Sequence, residues 1–170
     1  DDDYMNLQNA WTWWGPFSLE EAAAAAVSYW IYIDLDNFSY DSMTVVVVDN
    51  PNLLTLNGDA FHENVTWGKT YKNRVQEDWA FRFFYLDSLI LGPAPDPEDE
   101  EEEFEYSSVI GSDEVYLAFV WQSNRYGVTG MGAFVDDVII SWDDGLFELE
   151  PLRPMFGYHE PEEDTTYWQV

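Results

Sequence analysis

Two apolar runs of strand length, Val115 to Gln122 and Ala133 to Ser141, set the pattern of the chain, and a loop bearing Gly and Asn separates them. Both are rich in Val, Ile, Phe, Tyr and Trp, which suit a pleated, half-buried surface, and both are bounded by turn formers. The pattern predicts two paired strands. Because each run is apolar on both faces, their sheet is expected to be covered on both sides. Asp136 and Asp137 sit side by side in the second run. On a regular strand they point to opposite faces, and each needs a cation, a donor or water.

The same pattern recurs upstream. Met5 to Trp14 reads as a first strand, closed by Gly15-Pro16. Leu19-Glu-Glu and the five alanines after it favour helix by propensity, whereas Val27-Ser-Tyr-Trp-Ile-Tyr-Ile33 favours strand. The expectation is a turn or helical start, then a strand from about Ala24 to Leu35. Met43 to Val48 is an unbroken run that predicts a fully buried strand, and Leu53 to Leu56 a short one before the Asn57-Gly58 turn. Thr66 to Arg74, Trp79 to Leu86 and Leu146 to Leu149 complete the series. Short strands at this spacing argue for a sandwich or jelly roll.

Residues 92–105 break the pattern with Pro93, Pro95, Pro97 and a nearly continuous acidic run from Asp96 to Glu103. Strand signals resume on both sides, so this is read as a loop inserted into a single domain over residues 1–170.

Composition narrows the function. With 46% hydrophobic and 18% aromatic residues among 170, the chain has the material for a sizeable core. Its 34 acids against 6 bases give a formal net charge of −28, which excludes nucleic acid and anionic membrane as partners by repulsion. Divalent cations, molar salt or an acidic medium would relieve that charge. The two lysines, Lys69 and Lys72, suit a solvent face adapted to high salt. The absence of cysteine removes disulfides, thiolate metal sites and a cysteine nucleophile. No apolar run reaches transmembrane length, so membrane insertion is not expected. Asn37-Phe-Ser39 and Asn64-Val-Thr66 are glycosylation sequons, usable only outside the cell.

Phe134-Val-Asp-Asp-Val-Ile-Ile140 after a Gly, the Val115-Tyr-Leu-Ala-Phe119 strand and the Ser-Asn loop resemble the C-terminal signature of MAM and immune-inhibitor-A type jelly-roll modules of secreted and surface proteins. Ala26-Val-Ser-Tyr-Trp30 and Tyr40-Asp-Ser-Met-Thr-Val-Val-Val-Val48 are similar to earlier strands of that family, and the ordered set covers roughly the middle 120 residues. The resemblance implies an all-β fold, an antiparallel β-sandwich with jelly-roll topology. It also implies a structural calcium ion in many members and a role in adhesion, glycan contact or assembly without catalysis.

Calcium takes several carboxylate and carbonyl oxygens, and the candidate ligands are Asp36, Asp41, Asp136 and Asp137. In so acidic a chain, aspartates in loops are also expected with no ion. Trp121 and Tyr126, with Trp11, Trp13 and Trp14, are candidates for stacking on sugar rings, against the ordinary role of tryptophan in a sandwich core. Catalytic motifs are missing: His62-Glu63 opens a zinc-protease signature, but Thr66 stands in the place of the second histidine.

The expected function is that of a non-catalytic, extracellular, calcium-assisted subunit of a surface assembly such as a filament or tube. Copies would join by strand donation, with residues 1–14 and 150–170 as inter-subunit segments. The alternative is a carbohydrate-binding module of a secreted protein. Either moving from molar salt to dilute buffer or adding EDTA is expected to lower the melting temperature, because each removes counterions from a chain of net charge −28. An unchanged melting temperature under both conditions would show that the charge needs no partner.

Overall fold

In the computed structural model the described residues are 9–35, 41–54, 65–72, 75–92, 104–123, 130–143, 145–148, 155–160 and 165–169. In chain order the strands are β1 (Asn9–Phe17), β2 (Ala25–Asp34), β3 (Ser42–Val48), β4 (Thr66–Lys72), β5 (Val75–Tyr85) and β6 (Leu89–Leu91). They continue with β7 (Glu105–Ser107), β8 (Val115–Gln122), β9 (Gly132–Trp142), β10 (Gly145–Glu148), β11 (Met155–Glu160) and β12 (Thr165–Gln169). Two antiparallel sheets result: eight strands in the order β12-β11-β1-β8-β3-β4-β6-β7, and four in the order β10-β9-β2-β5. The all-β sandwich expected from the pattern is present. Jelly-roll topology is not confirmed by this strand order.

Alternation along β2 shows why the layers form. Val27, Tyr29, Ile31 and Ile33 have no solvent exposure, while Ser28, Trp30 and Tyr32 between them face away from the core. A slip of one residue would turn every buried side chain to water, so burial fixes the register. On the opposing sheet, Met43, Val45, Val47, Leu117 and Phe119 complete the inter-sheet core. The alternate residues of β3 and β8, Val46, Val48, Tyr116, Ala118 and Val120, join Trp11, Leu54, Val65 and Trp67 in a second cluster. The larger sheet is therefore apolar on both faces, which is why every residue of β3 is buried.

Several buried polar atoms are paired, while the Thr12 hydroxyl and the Trp14 indole N–H are buried with no hydrogen-bond partner. The Tyr29 hydroxyl of β2 and the Tyr71 hydroxyl of β4 lie 2.8 Å apart, and the Tyr29 ring meets Phe119 edge-on at 5.5 Å. The Thr66 hydroxyl donates to the Val47 carbonyl, and the Trp67 indole N–H donates to the Gly92 carbonyl at 3.0 Å. Gly68 is a packing requirement: a Cβ there would enter the Phe84 ring, which holds β4 against β5.

Several expectations are corrected. The two opening runs are not paired: β8 lies between β1 and β3 in the larger sheet, whereas β9 lies between β2 and β10 in the smaller one. Nine residues separate them, more than the roughly two to five of a hairpin loop, and the connection crosses between sheets. Only β8 is covered on both sides. The outer face of β9 is open at Phe134, Asp136 and Asp137. Pro51–Leu54 is a 3₁₀ turn in place of the start of the expected Leu53–Leu56 strand. Pro51 has its φ preset there, and the Asn50 side chain accepts the Asn52 N–H at 3.0 Å. Leu89–Leu91 and Glu105–Ser107, unassigned in the sequence reading, pair with each other and bracket the acidic segment.

The terminal segments proposed for donation to neighbours meet in the chain's own sheet. β1 is paired on one side with β8 and on the other with β11, and β12 extends the sheet beyond β11.

Burial first, then the neighbouring Tyr71 hydroxyl, raises the Tyr29 phenol well above its ordinary pKa of 10.0, while Arg82 acts weakly in the opposite sense. A raised folded-state pKa means that this contribution is fully present below about pH 10 and is lost as pH rises beyond it. Urea denaturation across this range is expected to show falling stability above about pH 10, with a shallower fall in Tyr29→Phe. An identical slope in the variant would remove Tyr29 from the account.

Candidate functional site

The alternation that buries one face of the four-stranded sheet arms the other. β2 turns Trp30 and Tyr32 outward, β5 turns out Trp79, Phe81, Phe83 and Tyr85, and β9 turns out Phe134. Apart from half-buried Tyr32, these rings are 41% to 58% exposed. They touch one another in two chains: Phe134 to Tyr32 to Trp79 at 6.0 and 6.2 Å, and Trp30 to Phe81 to Phe83 to Tyr85 at 5.8, 6.4 and 5.8 Å. Six rings near half exposure, at about 200 Å² each, leave roughly 600 Å² of ring surface open. That is at the upper end of the largest apolar patch on a typical monomer, and patches of that size mark interaction sites.

The rim of the face is acidic. Asp136 lies opposite Trp30 in the β2–β9 ladder and so shares its face. The ladder slips there, and Asp137 takes a φ of 49°, the left-handed region that Asp tolerates. This bulge breaks the strand alternation, so both carboxylates are exposed where a regular strand would have buried one. Asp136 accepts the Asp137 N–H at 2.9 Å. On β5 the sole base is Arg82, which sits in the inward row and returns a guanidinium N–H to the Phe81 carbonyl at 2.9 Å.

The residues singled out from sequence fall elsewhere. Asp36, Asn37, Asn64 and Tyr126 lie outside the described residues. Asp41 is buried beside the first residue of β3, in the larger sheet, whereas Asp136 and Asp137 are on the smaller one. Among the described residues no three acidic or imidazole side chains converge. Trp121 is half-buried at the end of β8 and packs against the inter-sheet core. Trp11 is buried, Trp13 meets Tyr116 at 5.6 Å and Trp14 meets Phe119 at 5.8 Å, so these tryptophans serve packing.

The acidic cleft beside Ser18, Glu20, Glu21 and Trp142 is a structural corner. There the Asp143 carboxylate accepts the N–H groups of Ala23 at 3.0 Å and Ala24 at 3.4 Å, and these backbone donors hold it below the usual carboxylate range. It anchors the turn into β2.

The exposed face was missed because Trp79-Ala-Phe-Arg-Phe-Phe-Tyr85 was read only as a strand. Its period of two, with rings at every odd position, was the available signal. The chain matches no protein-family model and no curated protein.

Proposed function

We propose that this chain is a non-catalytic subunit of an extracellular assembly, and that it joins other copies of itself through the region of its four-stranded sheet. The contiguous, half-exposed ring surface on β2, β5 and β9 carries the reading. A specific interface covers about 800 Å² per partner, and the open ring surface supplies most of such an area in one patch. Aromatic residues are also the side chains most enriched at the centre of interfaces.

Carbohydrate binding is the second reading, favoured by Trp30 and Trp79 with Asp136 beside them, because pyranose faces stack on rings while their hydroxyls need acceptors. The ring geometry favours the first. Neighbouring planes are tilted by 31° to 82°, so the rings do not form one flat platform. An interdigitating protein surface meets such a relief better than a row of flat sugars. The calcium ion that the family resemblance implies, with Asp136 and Asp137 at the rim of this face among its candidate ligands, belongs to the same proposal.

Sedimentation velocity in molar salt tests the reading, since salt screens the repulsion between copies of net charge −28. Concentration-dependent association is expected, and Phe81→Ser with Phe134→Ser should weaken it about tenfold or more at unchanged melting temperature. A wild type that stays monomeric at every salt and concentration would overturn the proposal. Retention of that monomer on insoluble polysaccharide would establish the second reading in its place.

A further inference from the structure

The backbone of β5 determines how a second copy can reach this face. Leu86 donates its N–H to the Ala25 carbonyl at 2.9 Å, which makes Ala25 and Leu86 a hydrogen-bonded pair next to the Ala26–Tyr85 pair. In an antiparallel ladder such pairs alternate, so Phe84, Arg82 and Ala80 direct their backbone groups to β2. Phe81, Phe83 and Tyr85 direct theirs the other way. On that side β5 is the last strand of its sheet, and no strand pairs with it among the described residues. The residues with open rings are thus the ones whose N–H and C=O groups line the free edge.

We infer that β5 is a self-pairing edge: two copies join their β5 strands antiparallel about a two-fold axis at Phe83, making one continuous eight-stranded sheet. This deepens the proposed assembly role and rests on it. Three observations select the partner and the register. First, β5 slips against β2 between Ile31 and Ile33, so the regular ladder on β5 runs from Ala80 to Tyr85, and a centre at Phe83 uses the outward residues of that stretch in full. Phe83 then opposes Phe83 of the second copy, and Phe81 opposes Tyr85, giving aromatic cross-strand pairs throughout.

Second, residues 79–86 contain no acid and no proline, in a chain where 34 of 170 residues are acidic. Third, four of the six bases, Lys69, Lys72, Arg74 and Arg82, fall within residues 69–82, and β4 packs against β5 through Gly68 and Phe84. These bases lower the repulsion that a copy of a strongly acidic molecule meets on this side, where Asp78 and Asp87 flank the acid-free stretch. Arg82 guards the edge in the monomer by occupying the Phe81 carbonyl. Pairing exchanges that exposed hydrogen bond for a backbone N–H of the second copy.

Cross-linking tests the register, because the chain has no cysteine of its own. In oxidising molar salt, Phe83→Cys is expected to form a disulfide dimer roughly tenfold faster than Phe81→Cys, whose two copies would lie four residues apart, roughly 13 Å along the strand. Tyr106→Cys, on the edge strand β7 of the other sheet, serves as the background. Phe83→Pro removes an edge N–H while sparing the ladder to β2, and should raise the dimer dissociation constant roughly tenfold or more. If the wild type associates but Phe83→Cys cross-links no faster than Tyr106→Cys, the edge inference is overturned and the assembly reading stands. If the wild type never associates, both fall.

Discussion

Burial of one face of β2 is the constraint from which the rest of the molecule follows. Val27, Tyr29, Ile31 and Ile33 are closed off from solvent between the two sheets, and the Tyr29–Tyr71 hydroxyl contact ties the layers. Each large apolar side chain so buried contributes about 2 kcal/mol, so a slipped register would forfeit about 8 kcal/mol, comparable with the net stability of an ordinary domain. With that register set, nothing is left to choose on the other side of the sheet. Trp30 and Tyr32 must face out, and the ladder then aligns Phe81 and Phe83 of β5 and Phe134 of β9 beside them.

Charge acts on this frame from outside. The 34 acids are tolerable for the core because it draws on apolar residues, and Asp41 is the one buried carboxylate among the residues whose burial is described. They oppose association between copies in dilute salt, so the screened regime is the one in which a patch of open rings can be covered. The acid-free stretch of β5 and the bases on β4 and β5 lower the cost of such covering there.

Much of the architecture was legible. The β-branched and aromatic runs gave β2, β3, β8 and β9 to within a residue or two, because strands buried on at least one face carry a strong pattern. The short β6 and β7 were not legible, since three residues hold no periodicity. Nor was the separation of β8 and β9, which depends on where a connection crosses the sandwich. The aromatic face lay hidden for a different reason. Rings at 79, 81, 83 and 85 look the same in sequence whether they enter a core or leave it, and only the register with β2 decides. The same ambiguity applies to Trp11, which is buried, and to Trp14 and Trp121, which are half-buried against the inter-sheet core. The Asp136-Asp137 pair reads as two-sided on a regular strand, and the bulge that exposes both is a property of the ladder.

Hydrogen exchange of the β5 backbone in dilute buffer, where copies stay apart, tests the claim that one alternation sets both the rings and the open edge. The account predicts fast exchange at Phe81, Phe83 and Tyr85 alternating with slow exchange at Arg82 and Phe84, whose N–H groups are bound to β2. Uniformly slow exchange across these residues, or the opposite alternation, would contradict it.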